Sequence, residues 1–142
     1  MANDGTFQKM DRPDERLYGT KGVIVCGYGP SEHEPIANAI EKMGLGDRPV
    51  IFATDADSAR TLKEVLKSAD RSGMGQSASM PRAIIMSGFT QKEVQFLMSV
   101  YRQAELPRQH WATLTPVSEN WTLAALLQEL AAEAEALNDN DR

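Results

Sequence analysis

The chain of 142 residues holds one cysteine, Cys26, and that scarcity removes several kinds of chemistry at once. One thiol closes no internal disulfide and supplies no cysteine-cluster zinc site. Its solitary use suits a reducing compartment, and the chain is expected to be cytoplasmic. Long apolar runs are missing too: none approaches the roughly eighteen residues needed to cross a bilayer. The opening residues 1–5 are polar and lack the apolar stretch of a secretory leader. Positive charge is in deficit, with 15 Lys and Arg against 20 Asp and Glu and a net charge of −5. A domain so balanced has no field that would hold a phosphate backbone, so no nucleic-acid partner and no membrane are expected.

What the chain does have is short β-branched runs alternating with amphipathic stretches. Strands are predicted at 23–26, 50–53, 83–87 and 111–115. Between and after them, apolar residues recur at helical spacing. Ile36, Ala39, Ile40 and Met43 mark a helix over 32–43, while Leu62, Val65 and Leu66 mark one over 59–69. Val94, Leu97, Met98, Tyr101 and Ala104 mark a third, ended by Leu106-Pro107, and Leu123, Leu126, Leu127, Leu130 and Ala134 a fourth over 121–137. Ser-x-x-Glu or Thr-x-x-Glu spacings at Ser31, Thr61 and Thr90 read as capping boxes. Pro35 suits a first helical position better than an interior one. The order βαβαβαβα predicts an α/β fold, a three-layer parallel sheet with helices on both faces. A loose arm is expected at 1–21, a single domain at 22–137 and a frayed tail at 138–142. Residues 70–81, rich in Gly and Ser, read as a flexible linker.

The two halves echo each other. Displaced by 61 positions, Gly27 falls on Gly88, Glu32 on Glu93, Leu45 on Leu106, Thr54 on Thr115, Thr61 on Thr122, Leu62 on Leu123 and Leu66 on Leu127. This suggests an internal duplication of a βαβα unit, with repeats 22–69 and 82–137. Two equivalent halves with right-handed crossovers give strand order 2-1-3-4. In a parallel sheet of that order the switch point lies between strands 1 and 3, where open α/β sheets bind ligands. Gly27, Tyr28, Gly29 and Glu32 would then face Gly88, Phe89, Thr90 and Glu93 over one crevice.

The second half also resembles a known family. Ser87-Gly88-Phe89-Thr90, a helix, the run from Thr113 to Leu123 and a Leu/Glu-rich helix are similar to a bacterial family named only as domain of unknown function 3783. The resemblance spans Ile84–Glu133. Its most specific part is Thr115 followed by Asn120-Trp121-Thr122-Leu123. It implies a compact α/β unit and transfers no activity and no functional residue.

Candidate chemistry is sparse. Gly27-x-Gly29 is similar to a dinucleotide-binding turn, but Glu32 stands at the third glycine and Pro30 removes a phosphate-cradling N–H. Cys26 ends a strand, and with His33 nearby it is a candidate nucleophile; the plainer reading is a buried small hydrophobe. Asp55-x-Asp57 is similar to the carboxylates of Toprim-type metal sites, but no glutamate ends the first strand; a helix-capping loop is the plainer reading. Glu32 and Glu93 could act as paired carboxylates or as helix-dipole partners. Trp111, His110 and Trp121 read as packing groups or interface anchors. Lys63, Lys67, Arg60 and Arg71 give the second helix a basic, solvated face. The expectation is therefore a non-catalytic cytoplasmic module, without cofactor or bound metal, that holds a small molecule or protein at the strand 1/strand 3 crevice. An enzyme using Cys26 or a metal on Asp55 and Asp57, and a purely structural homodimer, are the alternatives.

Overall fold

A computed structural model describes residues 15–103 and 109–140. Most of the expected arm, Ala104, Leu106-Pro107 and the last two residues lie outside the described residues. β1 (Gly22–Cys26), β2 (Val50–Phe52), β3 (Ala83–Ser87) and β4 (His110–Thr113) form one sheet in the order β2-β1-β3-β4. The helices are α1 (Pro30–Ile40), α2 (Leu62–Val65), α3 (Gln91–Gln103) and α4 (Leu123–Asn140). The fold is α/β with the expected strand order.

The sheet is mixed, not parallel. β1 pairs with β2 and β3 with β4 in parallel, but β1 and β3 run antiparallel, Gly22 opposite Ser87 and Cys26 opposite Ala83. The reason lies in the linker. A parallel β3 would have to begin beside the start of β1. Residues 70–81 instead carry the chain from the amino end of β2 to its carboxyl end. Asp70 accepts from Val50 N–H at 2.8 Å, and Arg71 N–H donates to Val50 C=O while Phe52 N–H donates to Ser72 C=O. Further on, Gly75 N–H donates to His33 Nδ1 at 2.9 Å and Ser79 N–H to Asp55 Oδ1 at 2.8 Å. β3 therefore starts at the carboxyl end of β1 and runs back. The stretch read as a slack linker is tied along the outer edge of β2, where unpaired strand groups would otherwise invite another chain.

The pairing is symmetric about Ile24 and Ile85, which lie opposite each other and 61 positions apart. The same displacement carries Val23↔Val50 onto Ile84↔Trp111. It also relates Thr61 to Thr122, which form an antiparallel bridge. Around that bridge Leu62 N–H donates to Trp121 C=O and Leu123 N–H to Arg60 C=O.

Alternation along the strands divides the core. Val23, Val25, Ile84 and Met86 pack with Ile36, Ile40, Leu97 and Tyr101 of α1 and α3. Ile24, Cys26 and Ile85 pack with Leu62, Val65, Leu123 and Leu127 of α2 and α4.

Helix limits differ from the sequence expectation where backbone groups are committed elsewhere. α1 begins at Pro30, with Pro35 inside it, and continues as a widened turn over Glu41–Leu45 that closes on Gly44 at φ 83°. Its cap is not the Ser31 box: Gly29 N–H donates to Glu32 Oε1 at 2.7 Å. α2 is a single turn instead of eleven residues. Thr61 is its true cap, accepting from Glu64 N–H at 3.2 Å; it is itself extended and bridges Thr122, and a separate 3-10 turn over Asp55–Asp57 precedes it. At the far end α4 continues through Asn140, past the limit expected at Leu137.

Candidate functional site

The antiparallel seam separates the residues expected to share a crevice. Gly27, Tyr28, Gly29 and Glu32 sit where β1 and β2 end. Gly88, Phe89, Thr90 and Glu93 sit at the opposite end, where β3 and β4 finish. The strand 1/strand 3 switch point of a parallel sheet is therefore not formed, and Glu32 and Glu93 do not act as a pair.

Each glycine turn serves the close passage of the other half. Gly27 has φ 78° and Gly88 φ 71°, a region that disfavours any side chain. A Cβ on Gly27 would lie 2.5 Å from the Met80 carbonyl oxygen, and one on Gly88 would lie 2.7 Å from that of Gly19. These glycines are structural. Tyr28 and Phe89 are buried beside them, each with a guanidinium over its ring: Arg82 at 5.8 Å from the Tyr28 centroid and Arg48 at 4.9 Å from that of Phe89.

At the first end, the candidate catalytic groups are already engaged. Cys26 is wholly buried; burial, then the nearby Asp57 charge, push its thiol up to about 12. A thiol so placed stays protonated and is no nucleophile near neutral pH. His33 is also buried, stacked on Phe52 at 4.3 Å between centroids. Its Nδ1 accepts from Gly75 N–H while Nε2 donates to Tyr28 C=O at 3.1 Å, the pattern of a neutral ring with the proton on Nε2. Asp57 takes Thr54 N–H at 2.9 Å and Arg60 Nη1 at 2.9 Å, and Asp55 holds Ser79. These two carboxylates fasten a turn and the linker. Among the described residues, no three His, Cys, Asp or Glu side chains gather as a metal-ligand set.

The second end holds an ion-pair chain that the sequence reading missed. Arg48 is 5% exposed, and its Nη2 donates to both Glu93 oxygens, at 2.8 and 2.9 Å. Its Nη1 reaches Asp47 Oδ1 at 3.3 Å, and Lys21 Nζ donates to the other Asp47 oxygen at 2.8 Å. The Lys21 hydrogen bond holds the Asp47 carboxyl below its usual range. Glu93 also closes the Thr90 capping box, as expected from the sequence: Thr90 N–H donates to Oε1 and Glu93 N–H to Thr90 Oγ1. Nothing in the spacing of Arg48 marks it.

Residues 16–20 form a strap across this end. Arg16 bridges Thr90, Leu17 N–H donates to Phe89 C=O, and Gly88 N–H donates to Tyr18 C=O. Two cavities lie at this end. One, of about 710 Å³, runs along α3 and is lined by Thr90, Lys92, Glu93, Gln95, Phe96 and Ser99. Phe96 there is 50% exposed. The other, of about 390 Å³, opens between the strap, the end of α2 and Leu114. On its rim the Tyr18 hydroxyl donates to Glu119 Oε2 at 3.0 Å, which raises the tyrosine's titration. Volumes in this range suit small molecules.

Of the earlier candidates, Thr90 and Glu93 line a cavity; the other six belong to turns, caps or core. Among the described residues no helix is long and apolar enough to cross a membrane. No curated protein and no solved structure matches the chain. Residues 82–137, from the entry to β3 through most of α4, do match the model of one family, the one resembled in sequence: the Domain of unknown function (DUF3783).

Proposed function

We propose that the chain is a non-catalytic binding module that takes a small ligand at the end of the sheet where β3 and β4 finish. The observation that carries this reading is the contrast between the two ends. At the first, the Cys26 thiol is sealed in the core, and His33, Asp55 and Asp57 are spent on hydrogen bonds that hold turns and the linker. At the second lie two cavities, with Thr90 and Glu93 in the wall of one and the strap in the wall of the other.

In this reading the fold is a three-layer domain made by duplicating one βαβα unit. The seven identities at a displacement of 61 and the matching strand registers support it. The fused pair keeps a common scaffold while its two ends diverge in the residues they carry. The compartment is cytoplasmic, in keeping with the lone, buried thiol and the acidic balance.

The test is a thermal-shift panel of carboxylates, phosphate esters, nucleotides and amines, followed by ¹H–¹⁵N spectra with whichever compound raises the melting temperature. A ligand that binds only the folded state stabilises it by mass action. Perturbed amides should cluster in 16–20, 88–99 and 114–119. Perturbations centred on 27–33 and 79–82, or a panel with no stabilising compound, would overturn the reading.

A further inference from the structure

We infer that the cavity beneath the strap is a site for a small organic anion, a carboxylate carried on an apolar body. This rests on the binding role proposed for that end of the sheet and names where and what it binds.

The floor of the cavity is apolar, formed by Leu66 and Leu114. Its mouth carries Lys63 and Lys67, four residues apart and therefore on one side of the α2 turn and its continuation. The other cations of this basic face are engaged: Arg60 holds Asp57, and Arg71 holds Asp70 and Glu41. The ammonium groups of Lys63 and Lys67 make no hydrogen bond or ion pair among the described residues. Among the described residues that line the cavity the one carboxylate, Glu119, is occupied by the Tyr18 hydroxyl. Two ammonium groups therefore face one carboxylate around an apolar hollow. A carboxylate head would pair with the lysines by charge-assisted hydrogen bonds while its body replaced water over the leucines. A headgroup without an apolar body would forgo the floor, and an uncharged body would forgo the rim.

The chain supplies its own comparison. The displacement that maps one half onto the other carries Lys63 to Ala124, Lys67 to Gln128 and Glu119 to Ser58. It carries Leu114 to Ala53 and Gly19 to Met80. At the other end, then, both cations are absent, and the Met80 side chain packs against the core where the strap has a glycine. Gly19 cannot carry such a plug. Its φ is 108°, and a Cβ there would overlap Ser87 Oγ and come within 2.9 Å of Leu114. The basic rim and the glycine of the strap thus occur together at one end and are replaced at the other, while Leu66 of the floor keeps its counterpart in Leu127.

The test uses the full chain, titrated by calorimetry and by ¹H–¹⁵N spectra with octanoate, octanamide and inorganic phosphate. The variant is Lys63→Ala with Lys67→Gln, which installs the residues of the mirrored position at two exposed sites and so spares the fold. Octanoate should bind, perturb the amides of 18–20, 63–67 and 114, and lose at least about tenfold in affinity in the double variant. Octanamide and phosphate should each bind more weakly than octanoate. Equal binding of octanoate and octanamide, or an unchanged affinity in the double variant, would overturn the inference. Octanoate shifts confined to 90–99 would overturn it while leaving the binding role of this end standing. Silence with octanoate would also overturn it, and only if the wider panel were silent too would the binding role fall with it.

Discussion

At the scale of single residues, the same chemistry means opposite things according to what surrounds it. Glu93 and Arg48 are the clearest case, because the two partners are unequally covered: the Arg48 side chain is 4% exposed and that of Glu93 28%. Removing the carboxylate strands a buried cation whose Nε already lacks a partner among the described residues. Removing the cation leaves a carboxylate that can turn to water. Glu93→Ala should therefore cost about 3 kcal/mol and Arg48→Met clearly less, read as unfolding free energies in urea. Equal losses would mean that the ion pair is not what the burial implies. Cys26 gives a second test. Its thiol ordinarily titrates near 9.0 and is raised to about 12 in the fold, first by burial and then by Asp57. Below pH 9 both states hold the proton and the thiol's contribution to stability is fully present. As pH rises from about 9 towards 12 the unfolded chain loses that proton while the folded one keeps it, so stability falls by up to about 1.4 kcal/mol per pH unit. Burial raises Tyr28 and Tyr101 in the same direction, which steepens the alkaline loss. Cys26→Ala should flatten the slope between pH 9.5 and 11.5 and leave the tyrosine part; identical slopes would refute the assignment.

At the scale of elements, the sequence was most legible where one local signal acted alone. The five residues of β3 and the Thr90 box opening α3 were readable because a strand apolar up to its last residue and an ideal cap leave few alternatives. Reading failed where a distant backbone competed. The helix over 59–69 shrank to one turn because Arg60 and Thr61 are committed across the molecule to Leu123 and Thr122, although the Thr61 box marked the true start. The linker failed in the opposite sense. Its glycines signal slackness, but Gly73 has φ 76° and packs against the Phe52 carbonyl, so glycine there serves a tight passage along β2. His33 holds this clasp from α1, through Gly75 and the stack on Phe52. His33→Leu keeps the apolar contact with Phe52 and removes the acceptor. It should cost about 1–2 kcal/mol and speed hydrogen exchange at Arg71, Phe52 and Gly75 before the rest of the sheet. Unchanged exchange in 71–75 would show that the clasp is held by Asp70 and Asp55 instead.

At the scale of the molecule, one wrong strand direction dissolved the expected site. Strand order was recoverable from the echo between the two halves of the sequence, because it depends on which segments match. Direction was not, because it depends on which end of β1 the linker delivers the chain to, and that is decided by hydrogen bonds from Asp70, His33 and Asp55 that no periodicity reports. The candidate site inherited the error: its glycines were correctly located in turns, yet those turns lie at opposite ends of the sheet. The same seam also ties the halves into one unit. β1 and β3 pair over five residues at the centre of the sheet, and both core clusters draw side chains from both halves. Both tryptophans, Trp111 and Trp121, lie in the second half, each packed against a core cluster that both halves build. Ile51, 1% exposed on β2, belongs to the first. If the seam makes folding cooperative, Ile51→Ala should cost about 2–4 kcal/mol and move the urea midpoint by tryptophan fluorescence as far as it moves the midpoint by far-ultraviolet circular dichroism. A fluorescence midpoint left in place while the dichroism splits into two steps would mean that each half folds alone, and that the strand seam joins two domains rather than dividing one.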